Sequence, residues 1–498
     1  MLSQQEYTPH DGRQVTVDSD TTSKGTAPSL VRGLGLWSAI AVVVGSMIGQ
    51  AVFLVGSDMA QELGSVTKLL AAWTVGGVLV FFGACCYAEL GAAMPKAGGD
   101  YVYLSRGLSP VFGFLFGWTR SMIMSPGMAA VIAAGVLRFV EFLFPAVAIP
   151  LFTWHLTLSS QSQPYQFTFT AGQPLAAAVV VLLAVSNYLG VRMAGRFQVV
   201  LTSLKMAALA AIIIFGLLLG KVGGTPSDTF TTLGRGGLGS FLMVLVPVMA
   251  AYNGFQSLGC IGEEVTNPQK NIPRAAIFGS LVVISLYMLV NWTYFRVLGL
   301  SRVAQSHHVA SDAMVQLIGN NGAKWITVGM IISALGALHS NFLAYPRVPF
   351  AMARDGYFFA FAKRLQPLYR TPSGAIFFQA CVAVLLVLTG TYQELYSFEM
   401  FAIWLFFAFT AVALIRLRRV EPELPRPYRV WGYPWTVLVF GIAGLAISLN
   451  LWLARPVRSS IGLAIILLGA PFFFYWRRRA TAVLEKPAMS AGAVAVDP

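Results

Sequence analysis

The first stretch that could bind a charged small molecule is a glycine-containing interruption in an apolar segment. Residues 42–56 read VVVGSMIGQAVFLVG, with Gly45 and Gly49 near the middle. A membrane helix that breaks here exposes backbone N–H groups and the positive end of a helix dipole at about 47–50, and both favour a carboxylate. Such groups are tolerated at membrane depth only where they are buried in protein or line a cavity. Glycines also allow close helix packing, so this stretch alone leaves both interpretations open.

A second interruption lies in a later apolar segment. Residues 245–264 read LVPVMAAYNGFQSLGCIGEE, and Tyr252-Asn253-Gly254 places polar residues and a glycine in the middle. The two interrupted segments are five predicted spans apart, an odd number, so they run in opposite directions. Paired interruptions in two inverted halves indicate a substrate site near the membrane midplane. Helix packing explains such a pair poorly, so the pair favours a binding site.

Most of the remaining chain is apolar and could position these interruptions. The 498 residues are only 11% charged and 56% hydrophobic, whereas soluble domains carry about 25% charged residues. We expect an all-α membrane protein with about twelve transmembrane helices, because about 20 apolar residues cross the hydrocarbon core. The predicted segments are 35–60, 66–93, 109–144, 173–190, 196–220, 238–263, 274–300, 322–352, 374–390, 397–418, 431–453 and 459–477.

The positions of lysine and arginine predict the orientation. They fall mainly in alternate loops, at a ratio of roughly three to one, and the positive-inside rule then places both termini in the cytoplasm. The same bias accounts for the net charge of +14 without a nucleic-acid partner. Residues 1–29 are polar and contain no apolar signal-peptide region, so we expect a disordered tail. The four cysteines lie in or beside apolar segments and indicate no disulfide framework.

Several longer motifs resemble those of the amino acid–polyamine–organocation superfamily, in particular its L-type amino acid transporter branch. The resemblance implies a LeuT-type five-plus-five inverted repeat with two extra helices. It implies a cytoplasmic tail at 1–32, repeats at 33–220 and 221–420, helices 11 and 12 at 421–478, and a second tail at 479–498. The motifs are GSMIGQAVF at 45–53, YAELGAAMPKAGGDYVYL at 87–104, AYNGFQSLGCIGEEVTNPQKNIPRA at 251–275, Arg347 with Arg354-Asp355-Gly356, and PELPRPYRVWGYP at 422–434.

This resemblance also implies the substrate-binding residues. Backbone amides of the first interruption would bind the substrate carboxylate, and carbonyls of the second would bind its ammonium. Gln50 and Ala51 depart from the usual Ser or Thr and Gly, and Ala250 replaces a frequent aromatic gate. Phe255 could supply that gate or could simply pack in the core. The implied site residues are Gly45, Ser46, Met47, Ile48, Gly49, Gln50, Ala250, Ala251, Tyr252, Asn253 and Phe255.

Lys205 lies well inside the predicted fifth span, where a charge is costly and usually functional. In the family, a lysine at this position bridges the first and eighth helices, where sodium sits in sodium-coupled relatives. The alternative is a lysine whose long side chain reaches the interface. We expect the bridging role and therefore sodium-independent transport.

Other polar residues in the spans have less defined roles. His339 could titrate during transport or could simply be hydrogen-bonded. Arg120 and Glu399 could lie in the membrane or at the interface. A further expectation is that Gly49 and Gly254 both need close backbone approach or unusual dihedral angles. Glu263, Glu264 and Arg347 could form an inner gate or ordinary exposed ion pairs.

These observations predict a multi-pass cell-membrane transporter that works by proton symport or amino acid exchange, and the resemblance implies that its substrates are neutral amino acids. A carrier of cationic amino acids or polyamines is an alternative, for which Glu399 would be a counter-charge. A receptor that binds without transport is a third. No enzyme motif, cofactor site or metal-ligand cluster is evident. The loop at 145–172 has no cysteine, so we expect a protein that works alone, without a disulfide-linked heavy subunit.

Overall fold

The computed structural model describes residues 29–156, 165–220, 237–306, 308–390 and 392–484. Each of the predicted apolar segments falls on one helix or on a pair of consecutive helices. The helices are α1 (Leu36–Met47), α2 (Ala51–Leu63), α3 (Val66–Ala93), α4 (Asp100–Gly107), α5 (Pro110–Thr119), α6 (Ser125–Leu143), α7 (Gly172–Tyr188), α8 (Val191–Leu218), α9 (Leu238–Ala251), α10 (Ser257–Cys260), α11 (Pro268–Leu298), α12 (Leu300–Gln305), α13 (Val309–Ile318), α14 (Asn320–Ala344), α15 (Arg347–Arg354), α16 (Ser373–Thr389), α17 (Tyr392–Val420), α18 (Trp435–Ala454) and α19 (Pro456–Leu484).

Many of these helices are suited to a bilayer. Among the described residues, 8 helical segments are long and apolar enough to cross a membrane, and shorter apolar helices such as α1, α7 and α16 accompany them. Several helices extend beyond the predicted apolar segments. For example, α11 begins at Pro268, six residues before the predicted segment, because proline suits the first helical turn and the polar residues that follow continue the helix.

The chain breaks helical geometry at both predicted interruptions. Between α1 and α2, Ile48 adopts an extended conformation with φ −79° and ψ 91°. Between α9 and α10, the chain turns at 252–256, and Gly254 has a φ of 134°, which L-residues with a side chain rarely adopt. Local sequence therefore interrupts both apolar helices near their middle.

A third irregularity lies between α5 and α6. Residues Arg120–Met124 form a π-helical turn, and Pro126 follows it. Proline has no N–H to donate to the preceding turn and its ring crowds the carbonyl four residues earlier, so the wider turn accommodates it. Such π-turns are frequent at functional sites, and this one carries a buried arginine.

One element departs from the all-α expectation. Within the predicted loop at 145–172, β1 (Pro150–Leu156) pairs antiparallel with β2 (Tyr165–Thr170). Aromatic and threonine residues in these two strands favour a pleated pair. The two strands lie between α6 and α7 and contribute no residue to either helix break.

Candidate functional site

A cavity of about 260 Å³ lies between the two helix breaks. Residues of both interrupted segments line it, together with residues of the π-turn, α6, α14 and α17. A volume of this order suits a small molecule rather than a peptide. The lining residues are Ser46, Met47, Gly49, Gln50, Ala51, Val55, Arg120, Met128, Val131, Ile132, Ala250, Ala251, Asn253, Gly254, Ala337, Asn341, Tyr345 and Glu399.

The two breaks are in direct contact. A Cβ atom at Gly254 would lie 2.6 Å from the carbonyl carbon of Ser46 and 2.8 Å from the amide nitrogen of Met47. The Tyr287 hydroxyl lies 2.9 Å from the Met47 carbonyl oxygen and 3.3 Å from that of Ala251, so it can donate to either break. The sequence-distant interruptions therefore form one structural unit.

The amide donors of the first break differ from the expected set. The N–H of Ile48 donates to the Val44 carbonyl at 2.9 Å, and that of Gly49 donates to the Met47 carbonyl at 3.0 Å. Of the five expected donors, Ile48 and Gly49 are thus already engaged, and Ser46 and Met47 lie within α1. The first N–H groups of a helix have no intrahelical acceptor, so the free donors belong to the start of α2, next to Gln50 and Ala51.

The second break offers acceptors. The helix α9 ends at Ala251. The Ala250 carbonyl accepts the N–H of Asn253 at 3.3 Å and the Ala251 carbonyl accepts the Tyr287 hydroxyl at 3.3 Å, but a carbonyl oxygen has two lone pairs and can accept a second hydrogen bond. Both Ala250 and Ala251 line the cavity, as does Asn253. The positive end of α2 and the negative end of α9 therefore meet at one cavity, which suits a molecule with one carboxylate and one ammonium group.

Gln50 is accommodated by a glycine on a neighbouring helix. A Cβ at Gly135 of α6 would overlap the Gln50 side-chain amide. The long side chain thus packs against α6, and the absence of a side chain at Gly135 provides the space.

Lys205 lies behind the first break. Its ammonium donates to the carbonyls of Gly45 at 3.0 Å and Ile48 at 2.7 Å. A Cβ at Gly336 of α14 would lie 2.8 Å from the Lys205 Cε, so α14 packs closely against the lysine. The Ser333 hydroxyl from α14 also reaches the Ile48 and Gly49 carbonyls, at 3.3 and 3.1 Å. A buried cation therefore lies between the first break and α14.

The expectation for Gly49 was wrong, and Gly45 has the property instead. A Cβ at Gly49 would meet only the Ala337 Cβ, at an ordinary 3.9 Å, because α14 leaves space there. A Cβ at Gly45 would overlap the Gln198 side chain and lie 2.9 Å from the Thr202 hydroxyl. The close approach of α8 to α1 requires the glycine at 45.

Six of the expected residues do not line the cavity: Gly45, Ile48, Lys205, Tyr252, Phe255 and His339. Phe255 packs in an aromatic cluster, 5.2 Å from Phe407 and 5.5 Å from Tyr87 between ring centroids. The Tyr252 ring packs edge-on against Trp73, 5.5 Å away. His339 is fully buried, and its Nδ1 lies 2.7 Å from the Gln198 Oε1.

Arg120 and Glu399 both line the cavity between the two helix breaks. The Arg120 Nη1 is 3.5 Å from the Glu399 Oε1, and both side chains are only 2% exposed. The guanidinium carbon lies 3.5 Å from the centroid of the Tyr345 ring. A cation stacked on an aromatic face is stabilised by the ring quadrupole.

Sequence reasoning missed several lining residues of α6 and α14. Asn341 and Tyr345 are polar residues in a predicted span, a signal that could have identified them. Met128, Val131 and Ile132 carry no such signal, because apolar residues in a membrane helix face lipid or protein alike. Only tertiary packing shows which of them face the cavity.

One end of the bundle, at which α1 begins, is closed by a buried ion pair. Arg347 donates to both carboxylate oxygens of Glu264, at 2.7 and 2.9 Å, and both side chains are buried. The backbone carbonyl of Glu264 accepts the N–H groups of Gly33 and Leu34 at 2.9 and 3.0 Å. We call this group the closing contact; it joins the start of α1, the segment after α10, and α15.

A more exposed pair lies beside the closing contact. Arg354 donates to Glu263 at 2.9 Å, with the two side chains 37% and 21% exposed. Glu263 also accepts the N–H of Ala97 at 3.2 Å. Of the three predicted gate residues, Glu264 and Arg347 form a buried ion pair with each other, whereas Glu263 forms a partly exposed pair with Arg354, which was not among them.

A second cavity, of about 430 Å³, is formed by α2, α9, α17, α18 and α19. It shares Ala51, Val55 and Ala250 with the central cavity. Asp58 and the junction of α18 with α19 also line it. We call this second cavity the vestibule. It adjoins the central cavity, whereas the closing contact lies at the start of α1.

Interrupted apolar helices that meet at a small central cavity define a multi-pass membrane transporter. The family model described as amino acid permease matches residues 34–473. The chain belongs to this family, within the amino acid–polyamine–organocation superfamily.

Curated relatives agree with this assignment. The chain is 31% identical to the large neutral amino acids transporter small subunit 2 of Mus musculus, over 94% of this chain and 86% of the relative. It is 31% identical to the serine/threonine exchanger SteT of Bacillus subtilis (strain 168), over 90% and 98%. It is 32% identical to the b(0,+)-type amino acid transporter 1 of Oryctolagus cuniculus, over 81% and 79%. These relatives are transporters, not enzymes.

Proposed function

We propose that the chain is a sodium-independent secondary transporter of amino acids that alternates access to the central cavity. One observation carries the proposal: the start of α2 and the end of α9 face the same cavity, where Ala51 and Ala250 both line it. This arrangement offers donors for a carboxylate and acceptors for an ammonium group. An α-amino acid carries both groups on one carbon atom.

Sodium independence is supported by the position of Lys205. Its ammonium already occupies the space between the Gly45 and Ile48 carbonyls, and Ser333 adds a hydroxyl oxygen there. Carbonyl and hydroxyl oxygens are the usual ligands of alkali and alkaline-earth cations in proteins. A fixed ammonium in this position replaces a bound ion, which leaves proton symport or amino acid exchange as the coupling modes.

The substrate class and the membrane arrangement are also part of the proposal. Neutral amino acids fit the names of two relatives, one for large neutral amino acids and one for serine and threonine. The closing contact faces the cytoplasm together with both termini, as the positive-inside rule predicts. Because the segment at 145–172 has no cysteine, the chain functions without a disulfide-linked partner subunit.

The proposal is tested in proteoliposomes that contain the purified protein and labelled amino acid, in sodium-free buffer. A free amino acid should compete, whereas its methyl ester and its decarboxylated amine should compete at least about tenfold less well, because charge-assisted hydrogen bonds to the carboxylate are lost. Equal competition by the decarboxylated amine would contradict the carboxylate site and support a polyamine carrier.

Two further experimental conditions distinguish amino acid exchange from proton symport. Uptake that needs internal amino acid indicates exchange, and uptake driven by an inside-alkaline pH gradient indicates proton symport. Binding without counterflow would identify a receptor, and a requirement for a sodium gradient would contradict the role given to Lys205.

A further inference from the structure

The wall of the central cavity contains a buried ion pair that is unlike the closing contact. Arg347 and Glu264 form two hydrogen bonds of 2.7 and 2.9 Å. Arg120 and Glu399 approach only to 3.5 Å. Among the described residues, neither oxygen of Glu399 has a hydrogen-bond partner, and neither do Nε and Nη1 of Arg120. Buried polar groups are normally hydrogen-bonded, so these four atoms are available to a molecule in the cavity.

A third polar group lines the same cavity. The Asn341 Oδ1 accepts a hydrogen bond from the Gln379 Nε2 at 2.5 Å. Its Nδ2 has no partner among the described residues, although Asn341 is only 3% exposed. The Gln379 contact fixes which end of the amide is occupied, so the free end is a donor.

The chemistry of these groups defines the ligand that satisfies them. The ion pair has no net charge, so a cationic group would be attracted by Glu399 and repelled by Arg120. An anionic group would be attracted by Arg120 and repelled by Glu399. A neutral group that both donates and accepts can bond to Arg120 and Glu399 together. Hydroxyl and carboxamide groups have this property, whereas alkyl groups would leave all of these atoms unsatisfied.

We propose that Arg120, Glu399 and Asn341 form a side-chain subsite that selects amino acids with hydroxyl or carboxamide side chains. This inference rests on the proposed function, because it assigns the carboxylate and ammonium groups of the substrate to the helix breaks. In this subsite Glu399 binds a neutral substrate side chain, whereas the sequence analysis considered it as a counter-charge for a cationic substrate.

Pairs of amino acids with nearly equal shape test the subsite. Threonine and valine differ by a hydroxyl in place of a methyl group, and asparagine and leucine by an amide in place of a branched alkyl. We expect threonine and asparagine to inhibit exchange in proteoliposomes at least about tenfold more strongly than valine and leucine, because hydrogen bonds to charged groups are lost with the alkyl side chains. Ligand-induced thermal stabilisation of the purified protein should give the same order.

A double variant isolates the ion pair. Arg120→Met with Glu399→Leu removes both charges together and so leaves no isolated charge buried. The threonine-to-valine ratio should fall to about one. The matched control is Arg106→Met with Glu421→Leu, an exposed pair at 2.6 Å that should keep the wild-type ratio.

The outcomes separate the two proposals. Equal inhibition by threonine and valine in the wild type, or preference for lysine over asparagine, overturns the subsite while amino acid transport stands. An unchanged ratio in the Arg120/Glu399 double variant also overturns it. Absence of inhibition and of thermal stabilisation by every amino acid overturns both the subsite and the proposed function. The wild-type comparison decides the question even if the double variant does not fold.

Discussion

At the scale of single residues, three charged side chains show how burial depends on the partners that each charge finds. Arg347 is bonded twice to Glu264. Lys205 is bonded to two backbone carbonyls rather than to a carboxylate. Arg120 stacks on Tyr345 and approaches Glu399 without a hydrogen bond. A buried charge is costly unless it is paired and hydrogen-bonded, so this cost is offset most fully for Arg347 and least for Arg120.

Replacement of Lys205 by alanine should reduce amino acid exchange by at least about tenfold. The carbonyls of Gly45 and Ile48 would lose their donor, and each unsatisfied buried group costs about 1–3 kcal/mol. The measurement is exchange of labelled amino acid in proteoliposomes at matched protein incorporation. Lys324→Ala is the control, because Lys324 lies on α14 but is exposed. Wild-type exchange by Lys205→Ala would contradict the role of the ammonium.

At the scale of elements, apolar periods and glycines predicted the helices and their two breaks well. The spans could be predicted from length and composition, because every segment that crosses the hydrocarbon core needs about 20 mostly apolar residues. The hairpin formed by β1 and β2 was not predicted, since short strands outside the bilayer carry a weaker signal. The roles of Gly45 and Gly49 were exchanged for a similar reason: the position of α8 against α1 is a tertiary property that the sequence of α1 does not contain.

Gly254 should not tolerate a side chain. Gly254→Val places a Cβ 2.6 Å from the Ser46 carbonyl carbon and requires a strained φ, which costs about 1–3 kcal/mol before any overlap. We expect a lowered thermal midpoint and loss of exchange. Gly49→Ala should retain the thermal midpoint, because its Cβ has space.

Gly239→Val on α9 is the matched control for this prediction, since no atom lies within 4 Å of the position that a Cβ would take there. Exchange is measured in proteoliposomes and the thermal midpoint in detergent. Wild-type behaviour of Gly254→Val would show that the two breaks do not need this close contact.

At the scale of the whole molecule, the central cavity lies between a closing contact and a vestibule. The vestibule shares three residues with the cavity, whereas the closing contact joins the start of α1 to α15 through Glu264 and Arg347. Alternating access requires that this closure be reversible. In the proposed transporter, the free energy of the ion pair would therefore contribute to the balance between the two access states.

Glu264→Gln should open the closed end. The change leaves the Arg347 charge without its carboxylate, and breaking a buried pair costs about 3–5 kcal/mol. Cys260 is buried beside this contact, and its carbonyl accepts the N–H of Gly98 at 3.0 Å. We expect the rate of maleimide labelling at Cys260, measured by peptide mass spectrometry, to rise at least about tenfold.

Glu263→Gln is the control for this experiment. Its pair with Arg354 is partly exposed, and exposed pairs contribute about 0–1 kcal/mol, so labelling of Cys260 should change by less than about fivefold. Equal labelling of Cys260 in Glu264→Gln and in the wild type would show that the buried pair does not hold the closed end.

The tethering of the cation at Lys205 also limits the work that the transporter can perform. A dissociable monovalent ion that crosses with the substrate contributes about 2.3 kcal/mol for each 100 mV of membrane potential, equivalent to roughly 40-fold accumulation. The ammonium that bonds to Gly45 and Ile48 returns with the chain in every cycle and contributes none of this. Accumulation in the proposed transporter is then set by the proton gradient or by an exchanged pool of amino acid, so the steady state follows the metabolism of the cell rather than the salinity around it.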